Sequence, residues 1–97
     1  MSIDKYRTLT AVVETKSLTR AAAELGCTQS AVSHSIDALE KELGFAVLIR
    51  SRAGVRLTEE GERVMPAVRN LLSSAEQLNQ TASAIRGLES GTVRIGA

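Results

Sequence analysis

Apolar residues recur at helical spacing through most of the chain, and the pattern changes to strand-like alternation once before resuming as a long heptad. In residues 3–16, Ile3, Tyr6, Leu9, Val12 and Val13 mark one face of a helix that Ser2 can cap. A short helix is expected over 18–25, with Ser17 capping its first amides and Gly26 as a left-handed stop residue. Its apolar face is Ala21, Ala22 and Leu25, and the small residues admit a close helix neighbour. A third helix restarts at once behind Thr28 as side-chain cap, leaving only Gly26-Cys27-Thr28 for the turn. Along it Val32, Ile36, Leu39 and Leu43 fall at i, i+4, i+7 and i+11, a narrow stripe suited to burial.

Two helices joined by so short a turn, with glycine in it, form a helix-turn-helix, whose second helix lies in a DNA major groove. Opposite the buried stripe of that helix stand Ser30, His34, Asp37 and Lys41, with Ser33 on the flank and Gln29 at the N-terminal end. Gln pairs bidentately with adenine, Ser donates to or accepts from several bases, and His donates to a guanine acceptor. The first amides of the helix also favour phosphate oxygens. Asp37 is given no contact, because phosphates repel a carboxylate.

After Gly44 the β-branched and alternating run FAVLIRSRAGVRLT predicts a hairpin, with strands at 47–50 and 55–57 around the turn Ser51-Arg52-Ala53-Gly54. Arg50, Arg52 and Arg56 fall within it, as on a wing that follows a DNA backbone or enters a narrow minor groove. Thr58 then caps a long helix whose first turn holds Glu59, Glu60 and Glu62, placed well for the positive end of the helix dipole. Its apolar positions Val64, Val68, Leu71, Ala75, Leu78, Ala82 and Ile85 alternate in steps of four and three, a heptad seam. Some thirty residues of helix extend about 45 Å, farther than a domain of this size reaches, so most of the seam is expected to bury against another chain. Pro66 predicts a modest kink near the start. Residues 86–91 look turn-like, and 92–95 alternate as a strand with no sheet to join. The chain is therefore expected to stop where a second domain begins.

The fold class that follows is mainly α: a winged helix-turn-helix of three helices and a two-stranded wing, then a long dimerisation helix. Ninety-seven residues with only Tyr6 and Phe45 as aromatics give a small aliphatic core that favours association. No apolar run has membrane length and no signal peptide opens the chain, so a soluble cytoplasmic protein without a membrane partner is expected. The formal charge of +1 conceals a split: residues 1–57 hold eight Lys and Arg against six Asp and Glu, and residues 58–97 hold four against five. A net of +2 on the first part is weak for a DNA binder, and two half-sites joined by a dimer compensate. Cys27, the only cysteine, is expected to be a small buried residue under the helix pair. His34 is the only histidine and has no second ligand at i+3 or i+4, so neither a metal nor a cofactor is expected. One His, one Cys and no phosphate-cradling glycine loop leave no catalytic constellation, and an enzyme is not expected.

The segments LTRAAAELGCTQSAVSHSIDALEKELG, RLTEEGE and GTVRIGA resemble, in order and spacing, the N-terminal module of a LysR-type transcriptional regulator over the whole chain. The resemblance implies a DNA-binding domain over 1–58, a linker helix over 59–89, and at 90–97 the first strand of an effector domain. It also implies antiparallel pairing of linker helices in a homodimer, a possible tetramer of the full-length protein, and a small-molecule effector held by the further domain. Gln29, Ser30, Ser33 and His34 stand where family members contact base edges, and Arg52 where the wing reaches DNA. The sequence departs from the family pattern at Leu9, Leu18 and Leu48, where Phe is frequent, and at Ala46, where Pro is frequent. His34-Ser35 replaces a pair that is often Arg-Gln. The expected function is a homodimeric regulator reading an interrupted palindrome in double-stranded DNA, with groove contacts from Gln29 to His34 and backbone contacts from Ser17, Thr28, Arg50 and Arg52. The alternative is a coiled-coil interaction module whose winged helix binds protein and not DNA.

Overall fold

The computed structural model describes residues 3–90, with side chains through residue 87. The strand expected at 92–95, and Ser2 as a cap, lie outside the described residues. In chain order the elements are α1 (Ile3–Thr15), α2 (Leu18–Leu25), α3 (Gln29–Leu43), β1 (Leu48–Ser51), β2 (Gly54–Leu57) and α4 (Glu59–Ser90). Four helices and a two-stranded antiparallel wing make the expected winged helix-turn-helix with its long helix.

The helix boundaries follow from their caps. Ser17 Oγ accepts from the Arg20 amide at 3.1 Å, and Thr28 Oγ1 accepts from the Ala31 amide at 3.0 Å, each satisfying a donor that the first turn leaves open. Gly26, with φ of 71°, closes α2 in the left-handed conformation, and the Cys27 amide then reaches Ala22 O at 3.0 Å. Tyr6, Leu9 and Val12 of α1, Ala21 and Ala22 of α2, and Val32, Ile36 and Leu39 of α3 meet in one aliphatic core. Two residues depart from expectation. Leu25 is 41% exposed and Cys27 is also exposed. Both flank Gly26 at the C-terminal end of α2, where the chain turns, and the alanines of the preceding turn already fill the contact with the core.

The hairpin keeps Arg50 opposite Val55, as the expected turn implies, but its limits differ by one residue: β1 lies one residue later and β2 starts one residue earlier. Ser51 pairs with Gly54, so the turn is Arg52-Ala53 alone, and Val47 lies outside the ladder. The cause is hydrogen bonding around Val47. Its amide donates to Glu40 Oε2 at 2.7 Å and its carbonyl accepts from the Thr58 amide at 2.9 Å, so neither group is available to a strand partner. The Leu48 amide also reaches Glu40 Oε2, at 3.2 Å, which fastens the start of the wing to the recognition helix.

Thr58 joins the wing to α4 in both directions: its hydroxyl donates to Ala46 O at 2.8 Å and accepts from the Gly61 amide at 2.9 Å. Gly61 is buried so close to the Val47 carbonyl and the Leu57 side chain that a Cβ would not fit. Met65 and Val68 of α4 complete the core, and Val64, Leu71 and Leu72 pack on its edge. The proximal seam is thus used within the chain, in contrast to the expectation that most of it would face another. Helix α4 continues through Pro66 as one element, and it continues through residues 86–90, where a turn was expected. Gly87 alone weakens a helix by about 1 kcal/mol relative to Ala, too little to stop one flanked by good helix formers. The distal half projects from the domain, and the molecule measures 54 × 25 × 18 Å.

Candidate nucleic-acid interface

Helix α3 presents its outer face as the pattern requires: Gln29, Ser30, His34, Asp37 and Lys41 are exposed and Ser33 is half-buried. Capping hydroxyls stand at two helix starts, Thr28 exposed and Ser17 half-buried. Ser17 opens α2 and Thr28 opens α3, and because each oxygen accepts a backbone amide, each hydroxyl proton is left to donate to an external acceptor. Gln29 is tied to the preceding helix, since Thr19 Oγ1 lies 3.3 Å from its Oε1. With that oxygen accepting from Thr19, the Gln29 amide nitrogen keeps its N–H donors.

The wing brings three further cations to the same domain. Arg52 occupies the tip of the hairpin and is exposed, as is Arg56 on β2, and among the described residues neither forms an ion pair. Arg50 on β1 is different. Its Nη1 donates to Ser33 Oγ at 2.8 Å and its Nη2 donates to Asp37 Oδ1 at 2.9 Å, so the guanidinium bridges two residues one turn apart on α3. Asp37, left without a role by the sequence, is the anion that holds it. A second residue went unnoticed there: Glu40, whose carboxylate fixes the wing against α3 through the Val47 and Leu48 amides. A carboxylate on the inner edge of a helix, followed by a loop, was the available signal, but its partners become apparent only once the chain has turned back.

The arrangement offers donors and acceptors along an exposed helix, flanked by hydroxyl-capped helix starts and a cation at a wing tip. These groups suit hydrogen bonding to base edges and phosphates. Among the described residues no group of three His, Cys, Asp or Glu side chains is placed to hold a metal ion, and no helix is long and apolar enough to cross a membrane. Of the seven seam positions, Val68 is buried in the chain's own core, Val64, Leu71, Ala75 and Ala82 are half-buried, and Leu78 and Ile85 are exposed.

This fold and this surface define a winged helix-turn-helix protein of the transcription-regulator class. Residues 3–62 match the family model described as bacterial regulatory helix-turn-helix protein, lysR family. The chain is 40% identical over 97 residues to the uncharacterized HTH-type transcriptional regulator YvbU of Bacillus subtilis, covering 99% of this chain and 33% of that protein. Among solved structures, OxyR of Corynebacterium glutamicum, an H2O2-bound mutant, superposes with a TM-score of 0.84 at 30% identity, over 89% of this chain and 27% of that one. The BenM DNA-binding domain in complex with benA site 1 DNA gives 0.81 at 34% identity, over 90% of this chain and 98% of that one. The chain belongs to the lysR family and has the structure of its DNA-binding domain with the long helix that follows. It spans about a third of the length of the curated relatives it matches.

Proposed function

We propose that this chain is the DNA-reading and dimerising part of a cytoplasmic LysR-type transcriptional regulator. Two copies join through the distal seam of α4 and present two α3 helices to the half-sites of an interrupted palindrome. Gln29, Ser30, Ser33 and His34 face base edges in the major groove, while Ser17, Thr28 and Arg52 meet the phosphate backbone. A small-molecule effector, and assembly into a tetramer, belong to a further domain of the longer protein. The observation that carries this reading is the exposed polar face of α3, set between two hydroxyl-capped helix starts and an unpaired arginine on the wing.

The test is selection of duplexes from a random pool by the purified chain, followed by anisotropy titrations at several salt concentrations. Enrichment of a palindrome and a steep salt slope are expected. His34→Ala should weaken discrimination among duplexes more than overall affinity. Arg52→Gln should weaken binding to every sequence and flatten the slope by roughly 0.9 per subunit, the release expected for one phosphate contact. A dimer that enriches no duplex would leave the winged helix as a protein-binding surface.

A further inference from the structure

The boundary between wing and recognition helix holds a contact that neither an exposed polar face nor a basic wing accounts for. Ser33 and Asp37 are four residues apart and so lie on the same side of α3, and the planar Arg50 fork joins them at 2.8 and 2.9 Å. The Arg50 and Asp37 side chains are 36% and 66% exposed, and an ion pair this open contributes little to stability. Its effect is on the surface that faces a ligand.

Two consequences follow from the direction of these bonds. The Arg50 charge is matched by Asp37, so Arg50 is a poor neutraliser of phosphate. The Ser33 hydroxyl has one proton and two lone pairs, and one lone pair is taken by Arg50. Its proton is therefore left to donate outward. An amino group approaching the remaining lone pair would meet the guanidinium N–H groups beside it. In the major groove the acceptors are purine N7, guanine O6 and thymine O4, whereas cytosine presents only its N4 amino group.

We propose that Arg50, anchored on Asp37, is a positioning residue that makes Ser33 a hydrogen-bond donor, so that Ser33 selects a base with an outward acceptor and rejects cytosine. This replaces the phosphate contact expected of Arg50, and it rests on the DNA-reading function proposed above. Asp37 is then a determinant of specificity, placed near DNA because it holds a cation away from the phosphates.

The experiment is the same duplex selection on the parent chain, Ser33→Ala, Arg50→Gln, Asp37→Asn and Arg52→Gln, followed by titration of the winning duplex with each half-site position changed to the other three pairs. Ser33→Ala and Arg50→Gln should relax the same base-pair position, each losing on the order of fivefold discrimination. The double variant should lose no more than Ser33→Ala alone, the non-additivity of residues acting through one contact. Asp37→Asn should relax that position too, and by freeing Arg50 should steepen the salt slope by roughly 0.9 per subunit. Arg52→Gln should relax no position. The inference is overturned if Arg50→Gln weakens all duplexes equally and keeps the discrimination lost in Ser33→Ala, since Arg50 would then be a phosphate contact. Failure of the parent to select any duplex would remove the DNA-reading function, and this inference with it.

Discussion

The two halves of α4 carry the same alternation of apolar positions and meet different surroundings. Met65 and Val68, in the half next to the wing, are each 4% exposed against α1 and the rest of the core, whereas Leu78 is 69% and Ile85 52% exposed. Heptad spacing therefore establishes which face of a helix is apolar, and the tertiary fold decides what that face meets. The proximal half belongs to the domain. It is held by Thr58 at the wing and by Gly61 beneath it, the residue that caps the helix and the third residue within it. The distal half projects from the domain, with Leu78 and Ile85 open to solvent. Leucine and isoleucine at that exposure, on one seam, suit a second copy of α4.

Breaking either half should separate their roles. Met65→Ala removes a buried side chain from the core and should destabilise the domain by about 2–5 kcal/mol, read as a lower urea midpoint. The dimer dissociation constant, measured by sedimentation under native conditions, should change little. Leu78→Ser should do the reverse. It leaves the domain core intact, so the urea midpoint of dilute monomer should stay at the parent value. The dimer should weaken by about 1.5–3 kcal/mol per chain, the burial of one leucine, which is tenfold or more in the dissociation constant. A Leu78→Ser chain that dimerises as tightly as the parent would move the interface away from the distal seam.

Most of the fold was legible because local signals agreed with one another. Ser17, Gly26, Thr28 and Gly44 delimit α2 and α3 as their chemistry requires, and the Val32, Ile36 and Leu39 stripe is the buried one. What escaped the sequence depends on residues distant along the chain. The first strand starts at Leu48 and not at Val47 because Glu40 and Thr58, on either side along the chain, capture the two backbone groups of Val47, and no local propensity encodes that. Cys27 and Leu25 are apolar by type yet exposed, because a helix end at a tight turn offers a face with nothing to cover it. In the candidate site the exposed residues of α3 were apparent from periodicity alone. The bond from Arg50 to Ser33 and Asp37 was not, since it closes only when the wing folds back across α3.

Glu40 tests the tied side of the comparison at its narrowest point. Its carboxylate is half-buried and accepts two backbone amides, so Glu40→Ala leaves both Val47 and Leu48 without that acceptor. A cost of about 1–3 kcal/mol is expected in urea unfolding. The wing should also lose its fixed angle to α3, which hydrogen exchange would report as faster exchange of the Val47 and Leu48 amides. Equal exchange in parent and variant would mean that the Thr58 contacts hold the wing by themselves. The distal seam should not respond, and the dimer constant should remain that of the parent.

The smallest effect is expected where α1 meets the end of α3. Lys5 Nζ donates to Glu42 Oε2 at 2.7 Å, and this hydrogen bond, with the Lys5 charge behind it, holds the Glu42 carboxyl below its ordinary value of 4.5. A carboxyl lowered in the folded state contributes stability that is fully present above its unfolded value and is lost as pH falls through its folded value. Glu42→Gln should therefore unfold slightly earlier than the parent in urea at pH 7, and the two curves should converge once the pH lies below both values. Both side chains are partly open to water, so salt should narrow the difference at pH 7 as well. A difference that persisted unchanged into acid would assign the effect to lost packing of the glutamate stem and not to its charge. In either case the change stays within the domain: Glu42 lies on α3, outside the seam, so the self-association that Leu78→Ser is expected to weaken should be the same in parent and variant at every pH where both are folded.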